Sequence, residues 1–131
     1  MMMDKSKGFS LVELMVVVAI IAIIAGIGIP QYNQQVTSAK RSDGMQMLTR
    51  IMASQERYFS NEISYTTDLT DLGFASSANL ESTEGNYKIT ATACAGGIQQ
   101  CVLLTAVPQG GQLKDGNLTL NSRGAKTGNW P

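Results

Sequence analysis

Three rhythms of apolar and polar residues follow one another along the chain. From Leu14 through Ile29 no charged side chain interrupts the run, and apart from Gly26 and Gly28 every position carries an apolar side chain. A helix built this way is hydrophobic all round, the pattern of a membrane span or of a helix deep in a large core. Residues 9–29 would extend about 32 Å as a helix, close to the hydrocarbon thickness of a bilayer. Past Pro30 the rhythm changes. Met47, Leu48, Ile51, Met52, Gln55, Tyr58 and Phe59 recur at steps of three and four, with Arg50, Glu56 and Arg57 elsewhere on the wheel. This spacing predicts a helix with one buried stripe running to about Phe59, its methionines acting as core filler. The two halves would make one helix of about 50 residues. Gly26, Gly28 and Pro30 are its weak point: each glycine costs about 1 kcal/mol relative to alanine, and the proline removes an amide and crowds the preceding turn. A kink at the membrane boundary accounts for them.

The third rhythm has a period of two. Tyr87, Ile89, Ala91 and Ala93 alternate with Lys88, Thr90 and Thr92; Val102, Leu104 and Ala106 mark a second strand, and Leu118 and Leu120 a third. Ala95-Gly96-Gly97 turns the first connection, while residues 108–111 and Asp115-Gly116 shape the second. Ser122-Arg123-Gly124 precedes a short last strand expected near Trp130. The fold class predicted is α+β, a long N-terminal helix packed on an antiparallel sheet of three to four strands. Between helix and sheet, residues 65–74 suggest a packed loop with a short helical turn. Thr67 is its expected cap and Gly73 its stop, with Tyr65, Leu69, Leu72 and Phe74 facing inward.

Composition narrows the function classes. The 131 residues suit one domain with a modest core. Ten basic side chains balance ten acidic ones, so net charge carries no footprint for nucleic acid. Histidine is absent, which removes the commonest general base and the commonest metal ligand; neither catalysis nor a cofactor is expected. Asp68 and Asp71 could be imagined as calcium ligands, but two carboxylates without further close oxygens point to a solvated loop. Lys5 and Lys7 precede the apolar run and the next basic residues are Lys40 and Arg41, so the positive-inside tendency leaves the N-terminus in the cytoplasm and sends the rest outward. Cys94 closes one strand and Cys101 opens the next, which suits a disulfide contributing about 2 to 3 kcal/mol. Their spacing is not the redox Cys-x-x-Cys.

The stretch KGFSLVEL, residues 7–14, sets a carboxylate, Glu13, at the threshold of the apolar run. An ordinary secretory signal peptide would have its cleavage site near Gly26 or Gly28 and leaves Glu13 unexplained. A capping box, with Ser10 meeting a free amide and Glu13 reaching back, explains the spacing in any helix. Gly8-Phe9-Ser10-Leu11-Val12-Glu13-Leu14, after a basic leader and before an unbroken apolar helix, resembles the processing and methylation site of type IV pilins. The resemblance implies cleavage between Gly8 and Phe9 by a membrane-embedded prepilin peptidase, followed by N-methylation of Phe9. It divides the chain into a leader, 1–8, a transmembrane and fibre-core helix, 9–30, and a globular head, 31–131. Cleavage would create an amine one helical turn from Glu13, able to pair with it within a chain or between stacked chains. In the family this glutamate registers each incoming subunit, and an unpaired charge at mid-span costs roughly 3 kcal/mol.

In the head, Arg41-Ser42-Asp43-Gly44, residues 55–60, the 65–74 loop, Leu104-Thr105-Ala106 before Pro108, and Leu118-Thr119-Leu120-Asn121 resemble the small minor pilins of the PilE and ComP type. The chain departs from some relatives in its cysteines, which close the first hairpin instead of fastening a C-terminal loop. What the resemblance implies is a structural subunit of a type IV pilus, held in the bacterial inner membrane with a periplasmic head and then extracted into an extracellular fibre. Its implied partners are other pilin subunits, the prepilin peptidase and the inner-membrane assembly platform. The 26–30 segment would then be a place that loses helical order on packing into the filament. Two further functions stay open: a DNA receptor for uptake, with Lys88, Lys114, Arg123 and Lys126 meeting phosphate, and a type II secretion pseudopilin.

Overall fold

The computed structural model describes residues 8–131; the basic leader with Lys5 and Lys7 lies outside the described residues. Helix α1 runs Leu11–Glu62, and the division between two compact units falls between Val36 and Thr37. In the first unit every side chain from Leu11 to Gln35 is exposed, as an apolar surface with no internal stripe requires. Among the described residues α1 is the one helix long and apolar enough to cross a membrane. It continues through Pro30. The ring nitrogen there cannot donate to the Gly26 carbonyl four residues back, so the helix runs on with one hydrogen bond missing.

The second unit is built by the amphipathic half of α1 and five strands: β1 (Leu80–Glu81), β2 (Tyr87–Ala93), β3 (Val102–Pro108), β4 (Leu118–Asn121) and β5 (Lys126–Thr127). They form one antiparallel meander in the order β1-β2-β3-β4-β5. Registers such as Ile89 opposite Ala106 and Leu104 opposite Leu120 put the apolar alternates on one face. That face meets Met47, Leu48 and Ile51 of α1 in a core that also holds Leu69, Leu80, Tyr87 and Leu118. Gly44 lets the helix come close: a Cβ there would lie 2.8 Å from the Tyr87 ring.

The fold class is the one the pattern predicts, with differences in detail. The helix ends at Glu62, beyond Phe59. The sheet has five strands because β1 and β5 add two-residue edges, too short to show a period. The last strand is Lys126–Thr127, not Trp130; Trp130 packs against the core, its Nε1 donating to the Thr119 carbonyl at 3.0 Å. Leu69–Leu72 is a 3-10 helix capped by Asp68, whose carboxylate accepts from the Thr70 amide at 3.0 Å, so Thr67 is not the cap. Gly73 closes it in the left-handed conformation at φ 92°, as expected of a stop. The second connection is a 3-10 helix, Gly110–Asp115, rather than an open turn.

Candidate processing and assembly site

The N-terminal segment places its motif at the head of α1. Gly8 is exposed, with open space where a Cβ would be, and Phe9 is 84% exposed. The bond between them is thus open to solvent ahead of the first helical turn. Ser10 and Glu13 form a reciprocal capping box: the Glu13 amide donates to Ser10 Oγ at 3.1 Å, and the Ser10 amide to Glu13 Oε2 at 3.4 Å. At this helix start, then, the carboxylate satisfies the Ser10 amide while the Ser10 hydroxyl satisfies that of Glu13. The amine that would compete for it does not exist until the Gly8–Phe9 bond is broken.

The other residues singled out in the sequence stand apart from this site. Gly26, Gly28 and Pro30 lie within α1. Cys94 and Cys101 form a disulfide with Cα atoms 5.2 Å apart, joining the ends of β2 and β3. The loop they close is tied at two further points, by the Tyr65 amide donating to the Ile98 carbonyl at 3.2 Å and by Arg123 Nη2 donating to the Ala95 carbonyl at 2.7 Å. Of the four candidate cations, Arg123 is therefore engaged with backbone and Lys126 sits 4.6 Å over the Trp130 ring. Lys88 stands opposite Glu81 and Val107 on the outer sheet face, and Lys114 is exposed on the 3-10 helix. Asp68 is held by the Thr70 hydroxyl at 2.6 Å and amide, which lower its pKa. Asp71 accepts from Thr66 Oγ1 at 2.7 Å. Among the described residues no three His, Cys, Asp or Glu side chains are grouped to hold a metal.

Four polar anchors that spacing alone does not reveal hold the second unit together. Arg41 makes a two-pronged ion pair with Asp115, Nε to Oδ2 and Nη2 to Oδ1 both 2.6 Å, with the Asp115 side chain 6% exposed. The guanidinium hydrogen bond lowers the Asp115 pKa, and the same bond raises that of Arg41. Buried Gln112 adds its amide to the Thr37 carbonyl at 2.9 Å and the Tyr87 hydroxyl at 3.0 Å. Asp43, also buried, accepts from Ser82 Oγ at 2.5 Å, the Glu84 amide at 3.2 Å and the Asn86 amide at 3.3 Å, fixing the β1–β2 turn. Gln55 pairs with Thr66 like a strand neighbour, donating to its carbonyl at 2.7 Å and accepting from its amide at 3.1 Å. The only local signal for any of these is a polar residue, such as Gln55, falling on an apolar stripe.

Comparison with known proteins places this architecture. Residues 30–119 match a family model described as type IV minor pilin ComP, DNA uptake sequence receptor, and residues 3–29 match the prokaryotic N-terminal methylation motif. The chain is similar to the type IV major pilin protein PilA of Myxococcus xanthus, 37% identical over 54% of this chain and 32% of that one. It is similar to the type IV major pilin protein PilE of Neisseria gonorrhoeae, 32% identical over 57% of this chain and 45% of that one. Against the fimbrial protein EcpC of Eikenella corrodens it is 28% identical over 91% of this chain and 83% of that one. The match thus spans about a third of PilA and under half of PilE. A solved type IV pilin from Shewanella oneidensis superposes with a TM-score of 0.52 at 25% identity, over 72% of this chain and 98% of that one.

Proposed function

The chain belongs to the ComP family of type IV minor pilins, and from that premise we propose that it is a structural subunit of a type IV pilus, made as a precursor and activated by one cut. Prepilin peptidase cleaves between Gly8 and Phe9 on the cytoplasmic side and N-methylates Phe9. Residues 9–30 hold the subunit in the inner membrane until the assembly platform extracts it, and the same residues then pack against those of other pilin subunits. Residues 31–131 form the head, periplasmic first and extracellular later. The observation that carries this reading is an apolar half-helix with all its side chains exposed, beginning at Leu11, two residues beyond Phe9 and the open Gly8–Phe9 bond, and carrying a single carboxylate in its first turn.

Cleavage changes what that carboxylate does. The capping box loses nothing essential, but a positive amine now starts the chain at Phe9, one turn from Glu13. In an apolar fibre core the pair is favoured over either charge alone, so it selects one axial register between neighbouring subunits. Gly26, Gly28 and Pro30 mark where the helix can give as subunits pack. Glu13→Ala is expected to leave cleavage and head stability unchanged while incorporation into fibres falls at least tenfold, measured by immunoblotting of sheared pili. Normal incorporation would remove Glu13 from the assembly role.

A second reading adds DNA binding at the fibre surface, favoured by the family description and by the two of the four candidate cations that other groups leave open among the described residues, Lys88 and Lys114. The head is electrically balanced, eight basic against eight acidic side chains from residue 31 onward, so contact would be local and salt-sensitive. Retardation of duplex DNA by the mature chain at low ionic strength, lost in Lys88→Ala/Lys114→Ala, supports it; no retardation removes it.

A further inference from the structure

Asp115-Gly116-Asn117-Leu118-Thr119 contains the one place in the chain where an asparagine is followed two residues later by serine or threonine without an intervening proline. That spacing is the acceptor signal for N-linked glycosylation, which belongs on surface loops of exported chains. Three structural facts go beyond the motif. Asn117 lies in the exposed link between the 3-10 helix Gly110–Asp115 and β4. Its side chain makes no hydrogen bond among the described residues, in a head where the neighbouring polar groups Gln112, Asp115, Asn121 and Asn129 are all engaged. The groups two positions before and after it are, in contrast, held: Asp115 by Arg41 and Asn129, and Thr119 by Thr127 Oγ1.

We propose that Asn117 is an N-glycosylation site, modified during export before the C-terminal residues close over β4. The motif requires the hydroxyl two residues after the acceptor, and that hydroxyl is free only before the Thr119–Thr127 hydrogen bond and the β4–β5 edge form. Once they form, Asn117 still points to solvent, so a glycan already attached is carried without disturbing the core. The donor class is an oligosaccharide linked through diphosphate to a polyprenyl lipid. The Asn117 amide nitrogen attacks the anomeric carbon and the new N–C bond forms. The anomeric C–O bond breaks, polyprenyl diphosphate leaves with the bonding pair, and the amide proton passes to a carboxylate of the transferase. The proposal uses the preceding functional reading only for the export of the head.

The test is peptide mapping and intact mass of the full chain recovered from the bacterium that makes it, beside Asn117→Gln, Thr119→Val and Thr119→Ser. The expected result is a discrete oligosaccharide mass on the peptide carrying Asn117, lost in Asn117→Gln and Thr119→Val and retained in Thr119→Ser. Thr119 is half-buried on β4 and valine keeps its volume there; Thr119→Ser, which keeps the hydroxyl, separates the loss of that group from any change at the β4–β5 edge. An unmodified Asn117 in the native chain, or a sugar on this peptide that persists in Asn117→Gln, overturns the proposal. The same spectra give the N-terminus: a chain starting at Phe9 with bare Asn117 removes the glycan and leaves the pilin reading standing.

Discussion

The two halves of α1 use apolar residues in opposite ways. Leu48 and Ile51 in the second half are wholly buried, whereas Ile20, Ile23 and Ile24 in the first are 52%, 64% and 63% exposed. The difference is not in hydrophobicity but in arrangement. A stripe on one face, with Arg50 and Glu56 on the other, tells a helix where its core lies, and the sheet is there to meet it. An apolar surface on every face can be satisfied only by lipid or by neighbouring helices on all sides. The second half is therefore a folding element, and the first is the part to which the proposed function gives assembly, although one helix carries both.

This contrast can be broken by substitution. The largest loss of head stability is expected from Asp115→Ala, about 3 kcal/mol or slightly more, because it strands the Arg41 guanidinium that the carboxylate now holds in a half-buried two-pronged pair. Chemical denaturation followed by far-UV circular dichroism would measure it. Next, Leu48→Ala should cost about 3 kcal/mol through the cavity it leaves. Ile24→Ala, as large a truncation, should change the head's unfolding free energy by less than about 0.5 kcal/mol, since that side chain is 63% exposed. Equal effects of these two would erase the distinction between the halves.

A smaller and more specific effect is expected from pH. The Asp115 pKa is lowered in the folded head, so its contribution is fully present above the ordinary carboxylate value of about 4 and is lost as pH falls through the lowered one. Stability should stay level from neutral pH to about 5 and drop below about 4. Asp115→Asn should lack that part of the drop, and an unchanged acid profile in the variant would mean that the pair adds nothing to it.

The sequence made local things legible. The apolar run, the Met47 to Phe59 stripe and the strands at Tyr87, Val102 and Leu118 announce themselves because their periods repeat within a few residues. Two-residue strands such as Leu80–Glu81 cannot carry a period, and Gly110–Asp115 hides a 3-10 helix behind glycines that resemble a turn. Thr67 and Asp68 are both good caps, and only the backbone decides between them. The anchors were out of reach for another reason: Arg41 and Asp115 are 74 positions apart, and Asp43 and Ser82 are 39, so no spacing links them. At the N-terminus the motif was legible in full. That Glu13 has a partner in Ser10 was legible too, as a capping box, and its geometry gives the carboxylate a duty at the helix start besides the assembly role proposed for it.

The central claim is that the exposed first half of α1 is exposed because the chain is a precursor whose cut end, Phe9, starts the assembly element. Intact mass together with N-terminal sequencing of the mature chain tests it most directly. The account predicts a chain beginning at N-methylated Phe9. A mature chain beginning at Met1, or at any residue beyond Gly26, would contradict it.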